Sequence, residues 1–311
     1  MRSFQRGTHF LYAMLRLSIV TACLNAEKYI DRTLQSILGQ GYPKLEYIIK
    51  DGGSTDRTLE KIRPFQSQIH SFQSKSDEGQ YAAIQEGLME STGEIMGWIN
   101  ADDQYFPGSF SVVNQIFSQF PEVNWIVGVP AFLNAQGHIT KVSTNSASAF
   151  YQPYIQQGVY RDYLAGYLQQ ESMFWRRSLW DKVGGLDLQW KLAADFDLWT
   201  RFAAHAELVQ VVSPLAAFRE MPGAQRSSLF RKEYEQEVSE IVSNKSKPAY
   251  LWNAIARKGV IWRSLCRLAI WKPTKTIAFN TEREAWELLT HKRPISRATF
   301  LDMLLEKKIR G

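Results

Sequence analysis

Six side chains that can bind a cation or a nucleotide follow apolar, β-rich runs of the sequence. They are Thr21, Asn25, Asp51, Asn100, Asp102 and Asp103. Ligands of open parallel sheets bind beyond the carboxyl ends of the strands, so these positions predict a common pocket. Neighbouring carboxylates repel each other and need a shared proton or a cation. A divalent cation with oxygen ligands, Mg²⁺ or Mn²⁺, is the expected neutraliser, and such ions commonly hold substrate phosphates as well.

Turns are the simpler interpretation of these segments, because Asp, Gly and Ser favour turns. Residues 51–54 alone, or residues 101–103 alone, would be interpreted as turns. Both segments, however, end consecutive predicted strands and precede predicted helices, and this arrangement favours a functional role.

The elements that must position these side chains alternate in type. Strands are predicted at 17–22, 45–50 and 93–100, and helices at 26–40, 79–92 and 107–120. Such alternation predicts an α/β fold with a mostly parallel sheet flanked by helices. After residue 121 the pattern changes, with strands predicted at 125–133, 139–142, 171–175 and 207–218 and a helix at 196–206. The turn residues 134–137 predict a hairpin between the first two of these strands.

Length and charge divide the chain of 311 residues into two regions. We expect one domain over 1–223 and a basic helical extension without strands over 224–311, where 18 Lys and Arg stand against 9 Asp and Glu. Cys23 and Cys266 are the only cysteines, which excludes a disulfide framework and a CxxC zinc site and favours a reducing cytoplasm. No apolar run is long enough to span a membrane. Neither GxGxxG after the first strand nor GxxxxGK[ST] occurs, and no nucleic-acid-binding module is visible.

Several short motifs occur in the order typical of one enzyme family. They are TACLN (21–25), SILGQ (36–40), YIIKDGGSTD (47–56), SDEG (76–79), GWINADD (97–103), GGLD (184–187) and DFDLW (195–199). Residues 17–220 thereby resemble the family 2 inverting glycosyltransferases with the Rossmann-like GT-A fold. The resemblance implies a nucleotide-binding half over about 17–120 and an acceptor half over about 121–223. It also implies transfer of a sugar from a nucleotide-diphosphate donor to a saccharide or lipid-linked acceptor, in polysaccharide or glycolipid biosynthesis of bacterial type.

The resemblance assigns the donor side of the site. Asp51 is expected to bind the base and ribose region, with Thr21, Asn25, Asp77 and Asn100 in the same nucleotide-binding pocket. Asp102 corresponds to the last carboxylate of the Asp-x-Asp motif and is the expected metal ligand, with Asp103 as an accessory ligand. The family's first acid of that motif is Asn100 here.

On the acceptor side, Asp195 corresponds to the family's catalytic base, although the preceding Glu of many members is Ala194 here. Capping of the helix over 196–202 is the alternative role for Asp195. The loop 218–227 lacks the family's metal-binding His. Its Arg219 and Arg226 are candidates for diphosphate contacts, and a solvated basic loop is an equal alternative.

The C-terminal extension and the departures from the family leave alternatives open. Tryptophan and basic residues interleave over 248–271, a pattern that suits an anionic membrane surface and equally a helix packed on the first domain. The expected location is the cytoplasm, peripherally at the inner face of the cell membrane. Asn100 and Ala194 allow a non-catalytic nucleotide-sugar-binding or scaffold subunit. A nucleotidyltransferase is the second alternative, but a Gly-rich phosphate loop is missing after the first strand.

Overall fold

The structure is a computed structural model that describes residues 13–143, 150, 152–156, 158, 160–162, 166–221, 229–243 and 274–291. The α-helices of these residues are α1 (Ile30–Leu38), α2 (Thr58–Ile62), α3 (Gln80–Glu90), α4 (Ser109–Gln119), α5 (Gln152–Gln156), α6 (Arg177–Val183), α7 (Ala194–Phe202) and α8 (Arg231–Ser243). The strands are β1 (Leu17–Cys23), β2 (Leu45–Asp51), β3 (Ser71–Ser74), β4 (Ile95–Trp98), β5 (Gln104–Tyr105), β6 (Trp125–Val127), β7 (Ala131–Leu133), β8 (Ile139–Val142), β9 (Arg161–Asp162), β10 (Gly166–Tyr167), β11 (Met173–Arg176), β12 (Leu208–Val211), β13 (Ala216–Arg219), β14 (Thr274–Asn280) and β15 (Ala285–His291).

A nine-stranded sheet in the order β15-β14-β12-β6-β11-β4-β1-β2-β3 forms the centre of the fold. Its strands run parallel except at β11, which is antiparallel to both β4 and β6, and at the edge strand β15. The predicted α/β fold with a mostly parallel sheet is confirmed. Because β1 pairs in parallel with β2 on one side and β4 on the other, the carboxyl ends of these three strands lie side by side.

Helices cover both faces of this sheet, and two apolar cores result. Every residue of β1 is buried, as expected for a strand covered on both faces. On one face α3 lies close to β1 because it carries Gly87 there; a Cβ at this position would meet the Val20 side chain at 2.7 Å. On the same face Trp98 of β4 stacks on Trp199 of α7, with ring centroids 5.5 Å apart. The helix that carries the predicted base therefore packs directly on the sheet.

A smaller sheet, β5-β13-β7-β8, lies beside the carboxyl end of β4. The predicted hairpin at 134–137 is confirmed, since β7 and β8 pair antiparallel on either side of it. The strands predicted over 125–133 and 207–218 are each interrupted, giving β6 and β7 in one case and β12 and β13 in the other. Pro130 and Pro214 lie in the two interruptions, where a missing backbone N–H prevents continued pairing.

The extension after residue 223 is only partly helical. Helix α8 agrees with the prediction, but the expectation of no strands is wrong at 274–291, where β14 pairs in parallel with β12 and antiparallel with β15. Ile277 and Thr276 of β14 are buried against the sheet edge, which explains why these residues extend the sheet. The predicted boundary at 223 and the tryptophan-rich segment 248–271 lie outside the described residues. Among the described helices, none has the length and apolar character that a membrane crossing requires.

Candidate active site

The loop after β4 is held from α1. The hydroxyl of Thr33 donates a hydrogen bond shared by the carbonyl oxygens of Ala101, at 2.9 Å, and Asp103, at 2.8 Å. Asn100 lies at the start of the loop, and its Oδ1 accepts a hydrogen bond from Gln80 Nε2 of α3 at 2.7 Å. The loop is thus fixed by helices from both faces of the sheet, in the position where parallel sheets bind ligands.

Asp103 points into the protein. One carboxylate oxygen accepts from the backbone N–H of Arg219 at 2.8 Å and the other from Asn100 Nδ2 at 3.2 Å. Burial, together with the charges of Asp102 and Glu171, raises the pKa of Asp103 well above its usual range. The prediction of Asp103 as an accessory metal ligand is therefore not supported, because its oxygens already organise the loop and the side chain is 1% exposed.

Asp102 is the carboxylate that the loop presents to a ligand. It is half-buried, and no hydrogen bond from another described residue reaches its carboxylate oxygens. Burial raises the pKa of Asp102, while the positive charge of Arg219 opposes the rise. No group of three or more acidic, His or Cys side chains in the described residues has the arrangement of a complete metal site. Asp102 nevertheless fits a Mg²⁺ or Mn²⁺ ion that takes its other ligands from water and substrate phosphates.

Asp51 and Asp77 both lie beside Gly52, Asp51 as its neighbour in the chain and Asp77 through its side chain. Asp51 accepts hydrogen bonds from the backbone N–H of Ser54 at 3.0 Å and the hydroxyl of Ser74 at 2.6 Å. Burial alone would raise the pKa of Asp51, but these hydrogen bonds outweigh it and hold the pKa below its usual range. A Cβ on Gly52 would be 2.8 Å from Asp77 Oδ2. The two predicted nucleotide-binding carboxylates are therefore brought together.

The remaining donor-side residues differ in their placement. Asn25 is exposed at the rim, with φ 50°, and its side chain accepts a hydrogen bond from the backbone N–H of Thr55 at 2.9 Å. Thr21 is fully buried in β1 and pairs with the Tyr47 hydroxyl at 3.1 Å, so it does not line the pocket as predicted. Thr21 lies two residues before the end of β1, within the part of the strand that helices cover on both faces.

Arg219 is fully buried and does not meet the predicted diphosphate site. Its guanidinium donates to the carbonyl oxygens of Asp102, at 2.7 Å, and Asn134, at 2.8 Å. It thereby ties the loop after β4 to the β7–β8 hairpin. Arg226 lies outside the described residues.

Asp195 lies in the first turn of α7, across from the donor side. Its Oδ1 accepts hydrogen bonds from the Tyr81 hydroxyl at 2.9 Å and from the backbone N–H of Phe196 at 2.8 Å. Burial raises the pKa of Asp195, while the hydrogen bonds from Phe196 and Tyr81 oppose the rise. Asp195 is not the N-cap residue of α7, which is Ala193, but its bond to the Phe196 N–H satisfies one backbone donor of the first turn.

Glu171 is a site residue that the sequence reasoning missed. It lies in the turn before β11, is 3% exposed, and its Oε1 has no hydrogen-bond partner among the described residues. Burial, with the charges of Asp102 and Asp195, raises the pKa of Glu171 to about 8. This side chain therefore lies near both the donor-side and the acceptor-side carboxylates. The neighbouring Gln170 has a structural role, because its amide donates to the Trp98 carbonyl at 2.6 Å.

Comparison with known proteins assigns a family to this arrangement. The sequence model described as Glycosyl transferase family 2 matches residues 18–183, more than half of the chain. An uncharacterized glycosyltransferase of Mycobacterium tuberculosis is 24% identical over 65% of this chain and 74% of its own length. A poly-beta-1,6-N-acetyl-D-glucosamine synthase of Staphylococcus epidermidis is 28% identical over 41% of this chain. That match spans 32% of the synthase, and the match to an uncharacterized glycosyltransferase of Nostoc spans 35% of that relative.

Solved structures share the fold at low sequence identity. S. aureus TarS 1–349 in complex with UDP-GlcNAc superposes with a TM-score of 0.56 at 16% identity, over 74% of this chain and 71% of TarS 1–349. A mannosyltransferase from Pyrobaculum calidifontis in complex with GDP-Man and Mn²⁺ gives 0.52 at 17% identity, over 81% of this chain and 78% of the other. GalNAc-T7 gives 0.60 at 15% identity, over 79% and 51% of the two chains.

Proposed function

The chain belongs to glycosyl transferase family 2, and we propose that it is an inverting enzyme dependent on a divalent cation. It transfers a sugar from a nucleotide-diphosphate donor to a hydroxyl of a saccharide or lipid-linked acceptor. One observation supports the proposal: the charges of both Asp102, the expected metal ligand, and Asp195, the expected base, act on the buried carboxyl of Glu171.

Asp195 is the general base of the proposed reaction. Both hydrogen bonds that Asp195 accepts from other described residues reach Oδ1, which leaves Oδ2 for the acceptor hydroxyl. As the acceptor oxygen forms its bond to the anomeric carbon, the bond from that carbon to the diphosphate breaks and the hydroxyl proton moves to Oδ2. A single displacement of this kind inverts the anomeric configuration and requires one base and no covalent nucleophile. The raised pKa of Asp195 makes it a stronger base once it is ionised.

The donor side holds the nucleotide and the leaving group. Asp51 and Asp77, both beside Gly52, are the residues that bind the base and ribose region. Asp102 is the residue that would hold a Mg²⁺ or Mn²⁺ ion, and such an ion would supply positive charge to stabilise a diphosphate leaving group. The neighbours in complex with UDP-GlcNAc and with GDP-Man and Mn²⁺ support a nucleotide-sugar donor and a divalent cation.

The setting we propose is the assembly of a surface polysaccharide or glycolipid at the cytoplasmic side of a bacterial membrane. The similarity to a poly-beta-1,6-N-acetyl-D-glucosamine synthase supports a polysaccharide product. The basic C-terminal region, with 18 Lys and Arg against 9 Asp and Glu over 224–311, supports peripheral contact with an anionic surface.

Donor turnover tests this function. The whole chain is incubated with UDP-GlcNAc, UDP-glucose, GDP-mannose or dTDP-rhamnose, each with Mn²⁺ or with EDTA, and a panel of sugar acceptors. We expect release of one nucleoside diphosphate with Mn²⁺ and loss of release with EDTA, and a product whose anomeric configuration is opposite to that of the donor by NMR. Binding of a donor without release or transfer in any combination would contradict the proposal and favour a non-catalytic subunit.

A further inference from the structure

Helix α8 contributes one side chain to the segment that precedes the proposed base. The carboxylate of Glu237 accepts hydrogen bonds from three consecutive backbone N–H groups: Lys191 at 3.0 Å, Leu192 at 2.9 Å and Ala193 at 2.9 Å. Helix α7 begins at the next residue and carries Asp195 in its first turn. Glu237 therefore anchors the backbone directly before the helix that positions Asp195.

This contact supplies a hydrogen-bond acceptor at the start of α7, where the N-cap residue itself has none. The first N–H groups of a helix have no partner within the helix and are usually bonded by a side chain at the N-cap. The N-cap residue of α7 is Ala193, which has no acceptor in its side chain. The Glu237 carboxylate from α8 bonds the N–H of Ala193 and of the two residues before it, and its negative charge complements the helix dipole. On the other side of the segment, the Tyr81 hydroxyl lies 3.1 Å from the Leu192 carbonyl oxygen.

Helix α8 belongs to the packed core of the protein. Its buried residues Val238, Ile241 and Val242 lie in the same apolar cluster as Phe196 and Trp199 of α7. The matched family region ends at residue 183, so neither α7 nor α8 lies within it.

We propose that Glu237 is a positioning residue for the base Asp195, and that α8 is consequently part of the catalytic unit. By holding 191–193, Glu237 keeps the first turn of α7 in the orientation that directs Asp195 Oδ2 to the acceptor. The proposal rests on the proposed function, because it assigns Asp195 the role of base.

The charged and titratable groups around Asp195 make the pKa of Asp195 a measurable test of the proposal. Tyr81 faces Asp195 from α3, Glu171 from the turn before β11, and Glu237 from α8. After burial, which is the largest effect, the negative charge of Glu237 further raises the pKa of Asp195. Neutralising Glu237 therefore lets Asp195 ionise at lower pH, and a purely structural contact elsewhere on α8 would not produce this change.

Two variants and one control on the same helix test the proposal. Glu237→Gln removes the charge and retains one acceptor oxygen, whereas Glu237→Ala removes all acceptors. Glu235→Gln is the matched control, because Glu235 is exposed and its partner is Arg231 on the same helix. The measurements are kcat and donor KM with the donor that the wild type turns over, the pH profile of kcat/KM, and hydrogen exchange of the amides at 191–193.

We expect Glu237→Ala to lower kcat by about tenfold or more, since small displacements of catalytic groups have effects of this size. Donor KM stays within about twofold, because the donor side is untouched. In both variants the acid limb of the kcat/KM profile moves to lower pH and the amides at 191–193 exchange faster. Glu235→Gln behaves as the wild type in all of these measurements.

Wild-type kcat and an unmoved acid limb in both Glu237 variants would overturn the proposal, as would unchanged exchange at 191–193. If Glu237→Ala does not fold, the acid limb and kcat of Glu237→Gln decide. If the wild-type chain turns over no donor, the proposed function fails. Amide exchange together with an NMR titration of Asp195 in the Glu237→Gln variant then still decides whether Glu237 positions that residue.

Discussion

Replacement of Tyr81 by Phe tests how the base is held. The Tyr81 hydroxyl has one proton and two acceptors, Asp195 Oδ1 at 2.9 Å and the Leu192 carbonyl at 3.1 Å. A hydrogen bond to a charged group contributes about 1.5–3 kcal/mol, and loss of the lower value corresponds to about a tenfold change in an equilibrium. Because this bond favours the ionised form of Asp195, its removal raises the pKa of Asp195 further.

We therefore expect the acid limb of kcat/KM to move to higher pH in Tyr81→Phe, with about a tenfold loss of kcat/KM on the acid side and a smaller loss at high pH. The assay is donor turnover across pH, with thermal unfolding as a control for stability. Tyr42→Phe is the matched control variant. The Tyr42 hydroxyl also has two partners, the Leu15 carbonyl at 2.6 Å and the Asn114 side chain at 3.0 Å, and it lies far from Asp195 in the sequence and in the fold. Tyr42→Phe lowers stability without moving the limb. An acid limb of Tyr81→Phe at the wild-type pH, or below it, would refute the reasoning.

Three further predictions concern the donor side and the buried acids. A nucleoside diphosphate at 100 times its Kd stabilises the protein by about 2.7 kcal/mol, and we expect Asp102→Ala to abolish the Mn²⁺ dependence of this thermal shift. Asp103→Ala, in contrast, lowers the free energy of unfolding by about 2 kcal/mol, because the backbone N–H of Arg219 and the side-chain amide of Asn100 lose their acceptor. Gly52→Ala displaces the Asp77 carboxylate and weakens nucleotide binding in calorimetry with little change in stability. Glu171 binds its proton more tightly when folded, so its contribution to wild-type stability falls as pH rises from about 4.5 to about 8, by at most about 1.4 kcal/mol per unit, and the stability of Glu171→Met falls less steeply over this range in chemical denaturation.

The donor side could be predicted from the sequence because its geometry follows from local order. Asp51 ends β2, and Asn100 and Asp102 follow β4, and both strands pair in parallel with β1. Strand ends that are adjacent in a parallel sheet bring their loops together, so spacing along the chain was sufficient to place these residues.

The residues that were misplaced or missed depend on contacts between distant parts of the chain. Arg219 looks like a surface cation in the sequence, but its Nε and Nη1 donate to carbonyl groups of two loops that are distant in the sequence. Tyr81 meets Asp195 across 114 residues. The strands at 274–291 were missed because they join the sheet through β12, a pairing that a local pattern does not reveal.

A comparison of turnover and donor binding in Asp195→Asn tests most directly whether Asp195 is the base. The amide keeps an oxygen for Tyr81 and Phe196, so the fold and the orientation of α7 are retained, but it cannot accept the acceptor's proton. We predict that turnover falls by about 10²–10⁴-fold, the contribution typical of a general base, while donor affinity by calorimetry stays within about twofold. Turnover near the wild-type level with an intact fold would contradict the assignment of Asp195 as the base.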